Sequence, residues 1–291
     1  MRETCKLIVS VCVALCLTGG VRRGDVRAQA SQGVQTATNT PPSAGGAAAD
    51  VAPTVGAIQW QLKTGGSVYS TPLVVAGVVY VGSYDFNLYA VDAATGRELW
   101  RCKTGGRVIG APTRAGELVY FGSQDNKLYA AAAATGQVKW KFKTEYAVTA
   151  SPLVADDTVF VASTDGTLYA LDAQTGKQKW TFGVERGTPT APLIVGQLLF
   201  VGSAAGIQAV DVQTGQQRWA FKTVGAVVAA PTATAETLYF GTLGGQLYAV
   251  ETATGHERWR MQVEGGLPFS PAVADGAVYF GGWDGTLYAV R

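Results

Sequence analysis

From Val148 to Phe182 the chain runs VTASPLVA, TVFVAS, TLYALD and KQKWTF, broken by Asp156-Asp157, Thr164-Asp165-Gly166 and Gln174-Thr175-Gly176. Apolar positions recur two apart, as at Val159 and Val161 or Leu168 and Ala170, so each run has one face for a core. That period, with β-branched and aromatic residues filling the apolar positions, predicts strands rather than helices. Asp-Gly and Thr-Gly are the turn residues of hairpins. The segment therefore predicts four short antiparallel strands.

The pattern repeats along the chain. An eleven-residue phrase, ALDAQTGKQKW at residues 170–180, returns as AVDAATGRELW at 90–100, AAAAATGQVKW at 130–140, AVDVQTGQQRW at 209–219 and AVETATGHERW at 249–259. Trp60, Trp100, Trp140, Trp180, Trp219 and Trp259 step by 40 residues, with a single step of 39, and Pro72, Pro112, Pro152, Pro192, Pro231 and Pro271 keep the same interval. A fixed period of this length means stacked supersecondary units, and four strands per unit means propeller blades. The fold class is all-β: a six-bladed β-propeller of four-stranded antiparallel blades over residues 56–291. The last repeat ends at LYAVR without a Thr-Gly-x-x-x-Trp, while Gly56-Ala57-Ile58-Gln59-Trp60 supplies that half at the other end. The expectation is that the N-terminal strand completes the last blade and closes the ring, leaving no open sheet edge.

The segment before the repeats reads differently. Arg2 and Lys6 precede an apolar run from Leu7 to Leu17, and Ala28-Gln29-Ala30 has the small residues of a cleavage site, so residues 1–30 read as a secretory signal peptide. Residues 31–55, rich in Ala, Thr, Pro and Gly, read as a disordered linker. Cys12 and Cys16 follow the bulky Val11 and Leu15, which speaks against lipid modification. Cleavage changes the charge. The whole chain has 23 Lys and Arg against 21 Asp and Glu, but the mature part keeps 18 against 19, without the basic excess that nucleic acid requires. It also keeps Cys102 alone of four cysteines, so no intrachain disulfide forms there. The expected location is periplasmic or secreted, with no membrane span after cleavage.

Ala-x-Asp-x-x-Thr-Gly-x-x-x-Trp resembles the tryptophan-docking motif of the pyrroloquinoline-quinone-like β-propeller repeats. These occur in quinoprotein dehydrogenases and in the propeller lipoprotein of the outer-membrane barrel assembly machinery. The resemblance implies that Trp60, Trp100, Trp140, Trp180, Trp219 and Trp259 dock between blades. Asp becomes Ala132 in the second repeat and Glu251 in the fifth, and those relatives usually have eight blades where this chain has six. The resemblance also brings in quinone chemistry, which in those enzymes uses adjacent cysteines and a calcium held by carboxylates and amides. One mature cysteine excludes the adjacent pair, and fold alone does not transfer activity.

Residues repeated in every blade serve packing, so function is expected where the repeats differ. The loops joining consecutive blades and those between second and third strands share one propeller face. Their aromatic and Arg positions are Tyr69, Tyr84, Phe86, Arg107, Tyr146, Arg186, Phe269 and Trp283, residue types that anchor interfaces. His256, the one histidine, lies in a Thr-Gly turn on the opposite face, so no base for nucleophilic catalysis stands near these loops. Asp85, Asp125, Asp165 and Asp284 occur singly and are expected to form turns rather than hold calcium. The reading is a noncatalytic extracytoplasmic scaffold without cofactor or metal. It binds a protein partner, with envelope or outer-membrane protein assembly implied by the resemblance. The alternatives are a quinoprotein-type dehydrogenase and a ligand- or carbohydrate-sensing propeller.

Overall fold

A computed structural model describes residues 57–185 and 187–291. The expected signal peptide (residues 1–30), the expected linker (31–55), Gly56 and Arg186 lie outside the described residues. Blade one contains β1 (Leu73–Val75), β2 (Val78–Gly82), β3 (Asn87–Asp92) and β4 (Glu98–Lys103). Blade two contains β5 (Thr113–Ala115), β6 (Leu118–Ser123), β7 (Lys127–Ala132) and β8 (Val138–Lys143). Blade three contains β9 (Leu153–Ala155), β10 (Thr158–Ala162), β11 (Thr167–Asp172) and β12 (Gln178–Gly183). Blade four contains β13 (Leu193–Val195), β14 (Leu198–Ser203), β15 (Gly206–Asp211) and β16 (Gln217–Lys222). Blade five contains β17 (Thr232–Ala233), β18 (Thr237–Gly241), β19 (Gln246–Glu251) and β20 (Glu257–Gln262). Blade six contains β21 (Ala272–Ala274), β22 (Ala277–Gly281) and β23 (Leu287–Val290).

Every sheet is an antiparallel meander in chain order, and the six together make the six-bladed propeller. The middle strands are buried almost throughout, while outer strands such as β8 and β12 alternate between half-buried and exposed. Apolar seams join consecutive blades, from one and two through to five and six.

Four of the five outer strands are tied to the next blade through a tryptophan hydrogen bond. Trp100 Nε1 donates to Ala133 O at 3.0 Å, Trp140 to Ala173 O at 2.9 Å, Trp180 to Val212 O at 3.1 Å and Trp219 to Thr252 O at 3.1 Å. The acceptors belong to the Asp-x-x-Thr-Gly turns. There Asp92, Asp172 and Asp211 each accept hydrogen bonds from the backbone and hydroxyl of the following Thr, which fixes the turn. The turn glycine has to be glycine on two counts. Gly176 has φ +70°, and a Cβ there would lie 2.7 Å from the Trp140 ring. A bulge between β11 and β12 falls beside Trp180, and the same irregularity recurs in blades one, two, four and five. Such a bulge re-aims the side chain next to it.

Among the described residues the ladder expected to complete blade six is not formed. Blade six has three strands, and residues 60–64 form no ladder with β23. Trp60 behaves toward blade one as Trp100 does toward blade two, the contact expected of an outer strand of blade six. Its Nε1 donates to Ala93 O at 2.9 Å, its ring covers Gly96, and with Leu62 it packs on Val79, Val81, Tyr89 and Val91. Thr64–Ser67 are also bonded to blade one: Gly65 N donates to Asp85, and Ser67 O accepts from Tyr84 N. The segment is therefore held by blade one, whereas blade six is held by blade five through Leu247, Trp259 and Met261. Among the described residues no apolar cluster joins blades six and one.

Trp180→Ala removes both a hydrogen bond and a ring packed at a seam, so it should cost about 3 kcal/mol in chemical denaturation. His256→Ala, at an exposed turn, should change stability by less than about 0.5 kcal/mol. The reverse order would contradict the tryptophan tie as the main coupling between blades.

Candidate functional site

The loops between blades and the loops between second and third strands are knitted into one face by backbone bonds. Gln124 N donates to Arg107 O, Thr164 N to Ala147 O, Leu243 N to Ala226 O and Trp283 N to Gly266 O. On the other side of the same connecting loops, Val108 N donates to Ser83 O and Val148 N to Ser123 O. Val108 and Val148 are fully buried, and their methyl groups occupy the space a Cβ would take at Gly82 and Gly122. Each connecting loop is thereby pinned between the two blades it joins, and the side chains at its tip are left to face outward.

The recurrent aspartates complete this frame. Asp85, Asp125 and Asp165 accept from the backbone N–H of Gly65, Gly105 and Glu145 in the preceding connecting loop. Each also accepts from a tyrosine four residues on, at 2.5 Å from Tyr89 and Tyr129 and at 2.9 Å from Tyr169. Asp284 makes the matching bond with Tyr288. Burial works to raise the Asp165 carboxyl, but hydrogen bonds from Tyr169 and Thr167 contribute to holding it below its ordinary value. Burial and the Asp165 acceptor push Tyr169 up to about 12. Blade four has Ala204-Ala205 in place of the aspartate turn, and there Gln208 takes over: its Oε1 accepts from Glu185 N at 3.1 Å. Among the described residues no three His, Cys, Asp or Glu side chains cluster as metal ligands.

Of the seven expected contact residues that are described, three meet. Tyr69 stacks on Tyr84 with ring centroids 4.5 Å apart, and the Arg107 guanidinium lies over the Tyr84 ring, 4.5 Å from its centroid. Three loops thus contribute one aromatic-cationic stack. Phe86 stands on the same loop as Tyr84 with φ +74°, its ring under Lys103 Nζ at 5.6 Å. Tyr146 is 62% exposed, and Trp283 is 52% exposed with its ring over Gly266. Phe269 is half-buried after Pro268, and Arg186 lies outside the described residues. Phe86, Tyr146, Phe269 and Trp283 belong to the same set of loops and make no aromatic stacking contact with Tyr69 or Tyr84.

The stack borders a cavity of about 320 Å³ where the inner strands converge. Thr71, Ala111, Ser151, Ala191 and Ala230 line it, as small as the crowded axis requires, and Ile109, Pro189 and Val228 form its apolar rim. Sequence reasoning passed over these three because each is unremarkable within its own loop. Aliphatic exposure gives a further signal. Val68, Val224, Val228 and Leu243 join Phe86, Tyr146 and Trp283 as large apolar side chains exposed on this face.

Comparison with known proteins agrees with the architecture. The family described as outer membrane protein assembly factor BamB matches residues 44–151, 143–230 and 203–291. The crystal structure of the computationally designed Ika8 protein superposes with a TM-score of 0.70 at 18% identity, covering 77% of this chain and 70% of that one. The crystal structure of BamB from Moraxella catarrhalis superposes with a TM-score of 0.54 at 20% identity, covering 80% of this chain and 86% of that one. At these identities both likenesses speak for the fold alone. No curated protein matches the chain.

The depressed carboxyls predict an acid limb. A group whose folded pKa lies below its unfolded value contributes stability that is present above about pH 4 and lost as pH falls through the folded value. Stability should therefore drop below about pH 4, and Asp165→Asn should flatten that drop in denaturation curves recorded across the acid range. A limb unchanged by the substitution would remove the aspartate frame from the account.

Proposed function

The chain belongs to the family described as outer membrane protein assembly factor BamB, and from that premise we propose that it is a noncatalytic extracytoplasmic scaffold that binds a protein partner of the cell envelope through its loop face. The observation that carries this reading is the Tyr69–Tyr84–Arg107 stack, set among exposed apolar side chains on a rigid frame. Stacked Tyr and Arg are the residue types that supply anchors, and a pre-positioned anchor loses little conformational entropy on binding. The exposed apolar groups around it give a partner area to cover. The sequence of residues 1–30, which reads as a secretory signal, and of residues 31–55, which reads as a linker, supports a tethered domain outside the cytoplasm.

The cavity supports a second reading, a small ligand at the channel mouth, since its size reaches the lower end of ligand pockets. A calcium-held quinone does not fit it. Its lining offers hydroxyls, backbone and apolar groups, and no carboxylate.

Crosslinking the mature domain to partners in an envelope extract should map contacts to the connecting loops rather than to the Thr-Gly turns. Tyr84→Ala should weaken the isolated complex by about 2 kcal/mol or more. Arg107→Glu should slow association and change its salt dependence, whereas Arg97→Glu and Lys177→Glu in the opposite turns should not. Contacts concentrated on the Thr-Gly turns would place the interface on the other face. Supplied with quinone and calcium, the domain should neither retain the chromophore nor reduce a dye with alcohols or sugars. Stoichiometric quinone binding with dye reduction would overturn the scaffold reading.

A further inference from the structure

The mature chain is close to neutral, yet its charges are sorted by position. The five outer strands β4, β8, β12, β16 and β20 hold ten of its 18 Lys and Arg and two of its 19 Asp and Glu. The aspartates of the turns, by contrast, are engaged with backbone N–H groups and hydroxyls. A cationic wall therefore runs around a domain whose net charge conceals it.

Blade two concentrates this charge. Lys139, Lys141 and Lys143 are the exposed positions of β8, and the strand period places them on one side of the strand at intervals of about 7 Å. None makes an ion pair among the described residues, and Lys139 donates to Gln137 alone. The arginines of other outer strands are partnered: Arg101 with Glu98, Arg258 with Glu236 and Arg260 with Glu257. Blade two also sets like charges opposite each other, Lys127 across from Lys143, a pairing that disfavours the sheet. At that position the other complete blades pair Asn87 with Lys103, Thr167 with Gly183, Gly206 with Lys222 and Gln246 with Gln262.

Lysine on an outer strand ordinarily blocks pairing with another chain. β12 is an equally outer strand and carries Lys179 alone, so three lysines and a like-charge pair exceed what that protection requires. The residue type distinguishes the occupant. Lys is depleted from protein interfaces, and β8 exposes none of the aromatic or Arg side chains that anchor them. Ammonium groups on flexible stems act as point charges and suit the phosphates of lipid headgroups, which impose no fixed geometry.

We propose that the outer wall of blade two, through Lys139, Lys141 and Lys143, is a docking surface for an anionic lipid bilayer. The wall lies beside the loop face rather than on it, so lipid and a partner at the loops can be held together.

The probe is a vesicle of two parts phosphatidylcholine to one part phosphatidylglycerol, and the measurement is co-flotation of the mature chain. Binding should be saturable in lipid, absent on phosphatidylcholine alone, and lost between about 0.01 M and about 1 M salt, as the screening length falls from about 30 Å to about 3 Å. Replacing Lys139, Lys141 and Lys143 together by Gln should weaken it at least about tenfold. Replacing Arg97, Arg218 and Lys222 by Gln removes as much charge elsewhere and should leave it nearly unchanged. On the unaltered chain, vesicles should slow hydrogen exchange at residues 138–143 and not at 217–222, a readout that does not depend on any variant folding. Absent binding at low salt, or equal loss in the two triple variants, overturns the proposal. Binding of soluble polyglutamate at β8 without binding of vesicles would name an acidic protein segment as the occupant and overturn it equally.

Discussion

The indoles of Trp100, Trp140, Trp180 and Trp219 are each clamped by the blade that follows, and the rest of the propeller depends on that clamp. The N–H is satisfied by a turn carbonyl, as between Trp140 and Ala173, while the ring lies on a glycine that has neither a Cβ nor a right-handed φ. The two requirements fall on different blades. A blade therefore cannot satisfy its own tryptophan, and stability accrues between neighbours as it does in other repeat architectures. The Asp-x-x-Thr-Gly turn is the receptor of this contact. Where its aspartate is replaced, the turn is kept by other means: Glu251 accepts from Thr254 in blade five, and in blade two Gly136 N still donates to Ala132 O.

Placing the clamp on one side of the ring frees the other. The loop face is held by small buried contacts, Val108 against Gly82 and aspartate against a backbone N–H, that leave the loop tips uncommitted. Blade four shows how much latitude this allows. Gln208, from a different strand position, meets the N–H that an aspartate meets in blades one to three. A frame that accepts two chemical solutions tolerates variation at its tips, and it is there that Tyr69, Tyr84 and Arg107 converge. The stack is rigid because its loops are pinned, not because its own contacts are strong.

Most of the fold was legible because the constraints that make it are periodic. Strand period two, turn glycines and the Trp ladder each mark the same unit, and agreement among them left little choice of architecture. The aspartates read as turn formers, which they are, but their tyrosine partners did not, since a Tyr four residues on is equally a core residue by pattern. The stack was legible as residue types and not as a contact. Tyr69, Tyr84 and Arg107 lie in three loops, and only the lean of each loop brings the rings together. Of the closure, the Trp60 contact with blade one is formed and the ladder with β23 is not, among the described residues. The half-motifs at the two ends match in register, Trp60 for Ala289 and Leu62 for Leu287, but register says which strands fit, not whether the ends meet. Whether they meet depends on the rotation from blade to blade, set by packing along every seam and encoded at no single position.

That mismatch leaves a strand whose composition belongs to a covered one. An edge exposed to water is ordinarily protected by charge, proline, a bulge or short length. β23 is short, yet between Leu287 and Val290 it carries no charge and no proline, and its apolar residues occupy the positions that are fully buried in the five covered counterparts. Blades whose third strands are covered obtain their cover from the next segment of chain. For blade six the segment from Trp60 to Leu62 carries the matching residues, and its tie to blade one is the tie that Trp100, Trp140, Trp180 and Trp219 make to the blade that follows. The loop face, by contrast, is defined by positions that break the repeat. Its specificity comes from departure from the pattern, whereas the strand edges are committed to the pattern itself.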